Sequence, residues 1–85
     1  LYFEEEVLTI NDKYNEYILT NLRTMWGINI NVISSKFDNK FALHTQKKIE
    51  KWYHKKYIRL SNENIFLTDK GSIFENEIIR DLFVL

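Results

Sequence analysis

Basic side chains recur along one stretch of the chain at a spacing that lets them act together. His44, Lys47, Lys48, Lys51 and Lys55 fall at i, i+3, i+4, i+7 and i+11, which lines them up along one side of an α-helix. A row of cations on a helix attracts phosphate, so nucleic-acid binding is the first chemistry this pattern raises. Lysine reads charge rather than sequence, because base edges are usually read by Arg, Asn or Gln. Gln46 is the single amide nearby. The favoured reading of the row is a solvated helix face, and DNA binding through a lysine-rich third helix is the alternative.

Two other residues stand out. Arg23 carries a guanidinium that can hold a carboxylate in a bidentate pair; an internal ion pair is the favoured reading, with Glu16 two helical turns away. Trp26 offers a large aromatic surface beside Gly27. Arg23 and Trp26 are therefore the candidates for docking or ligand contact. His44 and His54 are ten positions apart, a net rotation of about −80° on a helix, so they form no joint metal site. Glu75 and Glu77, two apart, fall on different helical faces and lack acid–base geometry. The chain has no cysteine, which excludes disulfides, thiolate metal ligation and a cysteine nucleophile. No Ser, His and Asp arrangement and no glycine-rich phosphate loop can be drawn. No residue set here performs a reaction unaided, and no metal site is assigned.

The elements that must position these residues follow from periodicity. Thr9 and Asp12 have the spacing of a capping box, and Tyr14, Tyr17, Ile18, Leu22 and Met25 then recur as one buried helical face. Gly27 ends this helix. Residues 28–30 suit a short strand able to pair with a later hairpin. Asn31 is placed to cap a second helix carrying Val32, Ile33 and Phe37, and residues 38–40 make a turn. The third helix covers about 41–54, with Ala42, Ile49, Trp52 and Tyr53 inward. Two apolar runs, 57–60 and 65–67, flank the polar turn Ser61-Asn62-Glu63-Asn64 and predict a hairpin. Thr68 and Asp69 cap a last helix over roughly 70–83, with Phe74, Ile78, Leu82 and Leu85 as its seam. This order predicts an α+β winged helix-turn-helix: a three-helix core, a small β-wing and an extra C-terminal helix. A four-helix bundle leaves the β-prone hairpin segment unexplained.

At 85 residues the chain has room for one core, burying about 60–65% of its extended surface. A hydrophobic content of 45% is enough to fill it, which argues against disorder. Residues 1–10, with Glu4-Glu5-Glu6, read as a linker, and 11–85 as the domain. The chain starts at Leu1 rather than Met and reads as a piece of a longer polypeptide. No run reaches the roughly 20 apolar residues that span a bilayer, so a cytoplasmic location is expected. Net charge is zero, yet residues 36–59 hold eight basic residues against two acidic ones, an asymmetry that suits either an anionic partner or a complementary face.

Glu16, Leu22-Arg23, Gly27-Ile28, Phe37 and Leu67-Thr68-x-x-Gly71 occur in that order across nearly the whole chain. In order and spacing this pattern resembles the C-terminal domain of the oxygen-independent coproporphyrinogen III oxidase-like radical SAM proteins of the HemN/HemW type. The resemblance implies a non-catalytic accessory domain packed on an N-terminal radical SAM barrel of the same chain. It implies a parent protein that uses a [4Fe-4S] cluster and S-adenosylmethionine, with haem as a further ligand, in porphyrin biosynthesis or haem delivery. The cluster-binding Cys-x3-Cys-x2-Cys motif is not among these residues, so no cofactor is assigned to them. A tetrapyrrole is then an implied partner, while nucleic acid is disfavoured and no membrane span is expected. Within that family setting, Arg23 has a propionate or the catalytic domain as its functional counterpart.

Overall fold

A computed structural model of the chain describes residues 9–84; Glu4-Glu5-Glu6 and Leu85 lie outside the described residues. The order is α1 Ile10–Asn21, β1 Ile28–Asn29, α2 Ile30–Lys36, α3 Asn39–His54, β2 Ile58–Ser61, β3 Asn64–Leu67, α4 Asp69–Ser72 and α5 Glu75–Leu82. The three strands form one antiparallel sheet in the order β1-β3-β2. The molecule is an α+β helical core with a β-wing.

Local sequence accounts for the starts and stops. Thr9 and Asp12 form a reciprocal capping box: the Asp12 amide donates to Thr9 Oγ1 at 3.1 Å and the Thr9 amide to Asp12 Oδ2 at 3.2 Å. Two of the orphan N–H groups at this helix end are thereby satisfied. The hairpin closes in two residues, Asn62 (φ 52°) and Glu63 (φ 70°), the left-handed pair that matches strand twist in a type I′ turn. Its tip is tied down, since the Glu63 carboxylate accepts from Asn31 Nδ2 and its carbonyl from the Ile30 amide. Thr68 caps α4, accepting from the Gly71 amide at 3.0 Å while its hydroxyl donates to the Lys56 carbonyl at 2.9 Å.

Both glycines sit where another segment's carbonyl passes. A methyl group at Gly27, whose φ is +69°, would collide with the Ile65 carbonyl; one at Gly71 would collide with that of Tyr57. The core joins Tyr14, Ile18 and Leu22 of α1 to Ile28, Ile33, Phe37, Phe41, Ile49, Trp52, Ile58, Ile65, Ile78 and Leu82. At its centre the fully buried Tyr14 hydroxyl lies 2.6 Å from Thr45 Oγ1 and 3.0 Å from the Leu82 carbonyl.

Several expectations need correction. Helix α1 ends at Asn21 with Leu22 as its C-cap; Gly27 follows a separate turn, which leaves Met25 exposed rather than on the buried face. The cap of α2 is Asn29, not Asn31, with Asn29 Oδ1 accepting from the Val32 amide at 3.1 Å. Tyr53 is exposed, because the inward stripe of α3 runs through Phe41, Ala42, Thr45, Ile49 and Trp52. The last helix is broken. The Phe74 amide turns back to the Gly71 carbonyl and its backbone (φ −109°, ψ 27°) leaves the helix, so Phe74 abandons the seam and stacks on Tyr57, 5.0 Å between ring centres.

Two tests follow. Gly71→Ala should destabilise the domain by about 3 kcal/mol or more in urea unfolding, although Gly→Ala inside an unobstructed helix stabilises by up to about 1 kcal/mol. Burial pushes the Tyr14 phenol up to about 12, against a smaller lowering by the Thr45 hydrogen bond. Its folded pKa lies above the ordinary value of 10, so stability tied to the neutral phenol is intact below pH 10 and is lost as pH rises through 12. Tyr14→Phe should cost about 1–2 kcal/mol at neutral pH and remove that residue's share of the alkaline loss, read from unfolding free energies across the same window.

Candidate docking surface

The segment from Arg23 to Trp26 and the break between α4 and α5 come together through one ion pair. Arg23 Nε lies 3.1 Å from Glu75 Oε2. The first of these segments is a turn held by Thr24, whose side chain donates to the Asn21 carbonyl at 2.8 Å and accepts from the Trp26 amide at 3.2 Å. It presents Met25 at 76% exposure and Trp26 at 73%. The second presents Ile73 at 77% beside the partly covered Phe74.

Exposed apolar residues scattered singly need no explanation. Here two adjacent pairs sit on two segments joined by a charge pair. Fully covering a large apolar side chain is worth about 1.5–3 kcal/mol, whereas an exposed ion pair is worth about 0–1 kcal/mol. The apolar side chains thus carry most of the energy this surface could release against a partner. The Arg23–Glu75 pair contributes geometry.

The basic row of α3 is divided by α5. His44 Nε2 lies 3.1 Å from the Leu82 carbonyl, and its ring packs edge-on to Tyr14. Lys51 Nζ lies 3.4 Å and Lys48 Nζ 4.0 Å from Asp81 carboxylate oxygens. Asp81 Oδ2 also accepts from the Trp52 indole at 3.0 Å, with Lys51 and Lys55 over the Trp52 ring. Lys47 remains on the solvent side. Much of the row faces α5 as a fastening between helices. Arg23 has the internal partner favoured for it, but that partner is Glu75 rather than Glu16.

Among the described residues there is no cluster of His, Cys, Asp or Glu able to hold a metal ion, and no helix long and apolar enough to cross a membrane. A groove of about 660 Å³ runs past Lys13, Tyr17, Lys36 and Phe37; the Lys36 ammonium there already lies over both rings. Sequence reasoning missed Ile73, Glu75 and Asp81. The spacing of Phe74, Ile78 and Leu82 fits an unbroken seam, which hides the break that exposes Ile73. Asp81 is 29 positions from Trp52, and nothing local marks a contact at that separation.

Residues 8–74 match the family model of the HemN C-terminal domain. No curated protein and no solved structure matches the chain significantly. The family match stops where α5 begins.

The two kinds of charge contact should separate experimentally. A double-mutant cycle on Arg23→Ala and Glu75→Ala should give a coupling of about 0.2–1 kcal/mol. Asp81→Ala, which strips the Trp52 indole of its acceptor, should cost about 1–3 kcal/mol in chemical unfolding and change Trp52 fluorescence.

Proposed function

The chain belongs to the HemN C-terminal domain family, and from that premise we propose that it is a non-catalytic accessory domain that docks on a catalytic domain of the same polypeptide. The observation that carries this reading is the exposure of two apolar pairs, Met25 with Trp26 and Ile73 with Phe74, on segments joined by the Arg23–Glu75 ion pair. Of the pattern that carries the family resemblance, Leu22, Gly27, Ile28, Phe37, Leu67, Thr68 and Gly71 build the fold. Arg23 and Trp26 reach the surface.

The family's [4Fe-4S] cluster and S-adenosylmethionine chemistry belong elsewhere in such a polypeptide. With no cysteine in the sequence, the donor set here does not fit an iron–sulfur cluster held by thiolates, and no step is routed through it. The role of this domain is to cover one side of the catalytic unit and to shape access to the region where a tetrapyrrole is handled. Nucleic-acid binding fits less well, since His44, Lys48 and Lys51 are engaged with α5 and Glu63 stands at the tip of the wing.

Tryptophan quenching by acrylamide tests the docking. In the isolated chain Trp26 should be freely quenched and Trp52 shielded. In the polypeptide that also carries the catalytic domain, Trp26 should become shielded, and Met25→Asp with Ile73→Asp should restore its quenching while leaving the unfolding midpoint of this domain unchanged. Equal quenching of Trp26 in both contexts would remove the proposal.

A further inference from the structure

Strand β2 is one of the two edges of the sheet and the longer of them, paired with β3 on one side only. The Tyr57 carbonyl accepts from the Thr68 amide at 3.0 Å. Antiparallel ladders alternate in direction, so Arg59 and Ser61 also turn their backbone groups toward β3, while Ile58 and Leu60 turn theirs outward. Neither outward pair meets a backbone partner among the described residues.

Along this edge runs a groove of about 480 Å³. Its lining includes Ile58, Arg59 and Leu60 of the strand, residues from both of its faces, together with Thr68. Tyr53 and His54, from the end of α3, form its far wall, and Lys56 closes it. No carboxylate lines it among the described residues, and none of His54, Lys56 and Arg59 makes an ion pair there. Tyr53 and Leu60 are half-exposed beside it. The Arg59 guanidinium is held over the Phe66 ring, 4.6 Å from its centre, which fixes its position in advance.

We propose that this edge takes up an extended acidic peptide segment of a partner polypeptide as an added strand. Backbone pairing with Ile58 and Leu60 supplies the register. Side chains alternating along the added strand then meet the apolar Tyr53 and Leu60 and the Lys56 and Arg59 cations. A peptide fits better than nucleic acid because the groove offers unpaired amide N–H and C=O groups in alternation, and a phosphate backbone can use only the donors. The site is distinct from Met25, Trp26, Ile73 and Phe74, so it stands or falls apart from the docking reading.

The test uses the full chain labelled with nitrogen-15 and three probes: a short peptide alternating Glu and Val, its Lys and Val counterpart, and a single-stranded oligodeoxynucleotide. The Glu–Val peptide should shift the Ile58 and Leu60 amides and slow their exchange with deuterium, binding at least about tenfold more tightly than the Lys–Val peptide. Lys56→Glu with Arg59→Glu, both at exposed positions, should invert that preference, and N-methylation of alternate peptide amides should abolish binding. The proposal is overturned if the two amides do not respond, if the N-methylated peptide binds equally well, or if the oligonucleotide binds and the Glu–Val peptide does not.

Discussion

The close approach of Gly71 to the carbonyl of Tyr57 is the constraint on which the rest of the structure depends. The Tyr57 amide donates to the Trp52 carbonyl at 2.9 Å, ending α3, and its own carbonyl accepts from Thr68, starting the turn into α4. Its ring stacks between Trp52 at 5.9 Å and Phe74 at 5.0 Å. One residue therefore sets where the third helix stops, where the hairpin leaves and where the last helix is interrupted. Only a residue without Cβ lets α4 come this near. The break at Phe74 follows, because that ring reaches Tyr57 only if its backbone leaves the helix, and the exposure of Ile73 follows from the break.

A second close approach mirrors the first. Gly27 lies against the Ile65 carbonyl with a left-handed backbone, which lets β1 pair with β3 directly after the turn that carries Met25 and Trp26. The family pattern becomes physical here. Its two glycines mark where the hairpin carbonyls of Ile65 and Tyr57 brush a neighbouring segment, and Thr68 holds the second approach by capping α4 and donating to Lys56. Leu22, Ile28 and Phe37 fill the core between them. A pattern that looks like a loose string of common residues is thus a set of clearances and fillings around one hairpin.

What could be read from the sequence was whatever rests on neighbours in the chain. The Thr9 and Asp12 box, the buried stripe of Tyr14, Ile18 and Leu22, the Asn62-Glu63 hairpin turn and the Thr68 cap each depend on residues within a few positions of one another. Helix periodicity failed where a distant contact outbid it. Phe74 has the right phase for the seam, but Tyr57, 17 positions earlier, offers it a stacking surface. Met25 is exposed because α1 ends before its side chain can be covered, and Tyr53 because it lies beside the inward stripe of α3 rather than on it. The Arg23–Glu75 and Trp52–Asp81 contacts join residues 52 and 29 positions apart, and the sequence offers no periodic trace of either.

Charge tells the same story at longer range. Residues 36–59 are strongly basic, and read as a strip they suggest a surface waiting for an anion. Folding brings Asp81 onto two of those lysines and onto the Trp52 indole at once, so that a single partly buried carboxylate turns part of the strip toward holding α5 to α3. Lys56 and Arg59, which have no carboxylate partner among the described residues, lie beside the edge of β2, where backbone groups are also unpaired. Basic composition in the sequence and a basic site in the fold are therefore different things: the row that is most regular along the helix is partly taken up by packing on α5, while the scattered Lys56 and Arg59 line a groove beside β2.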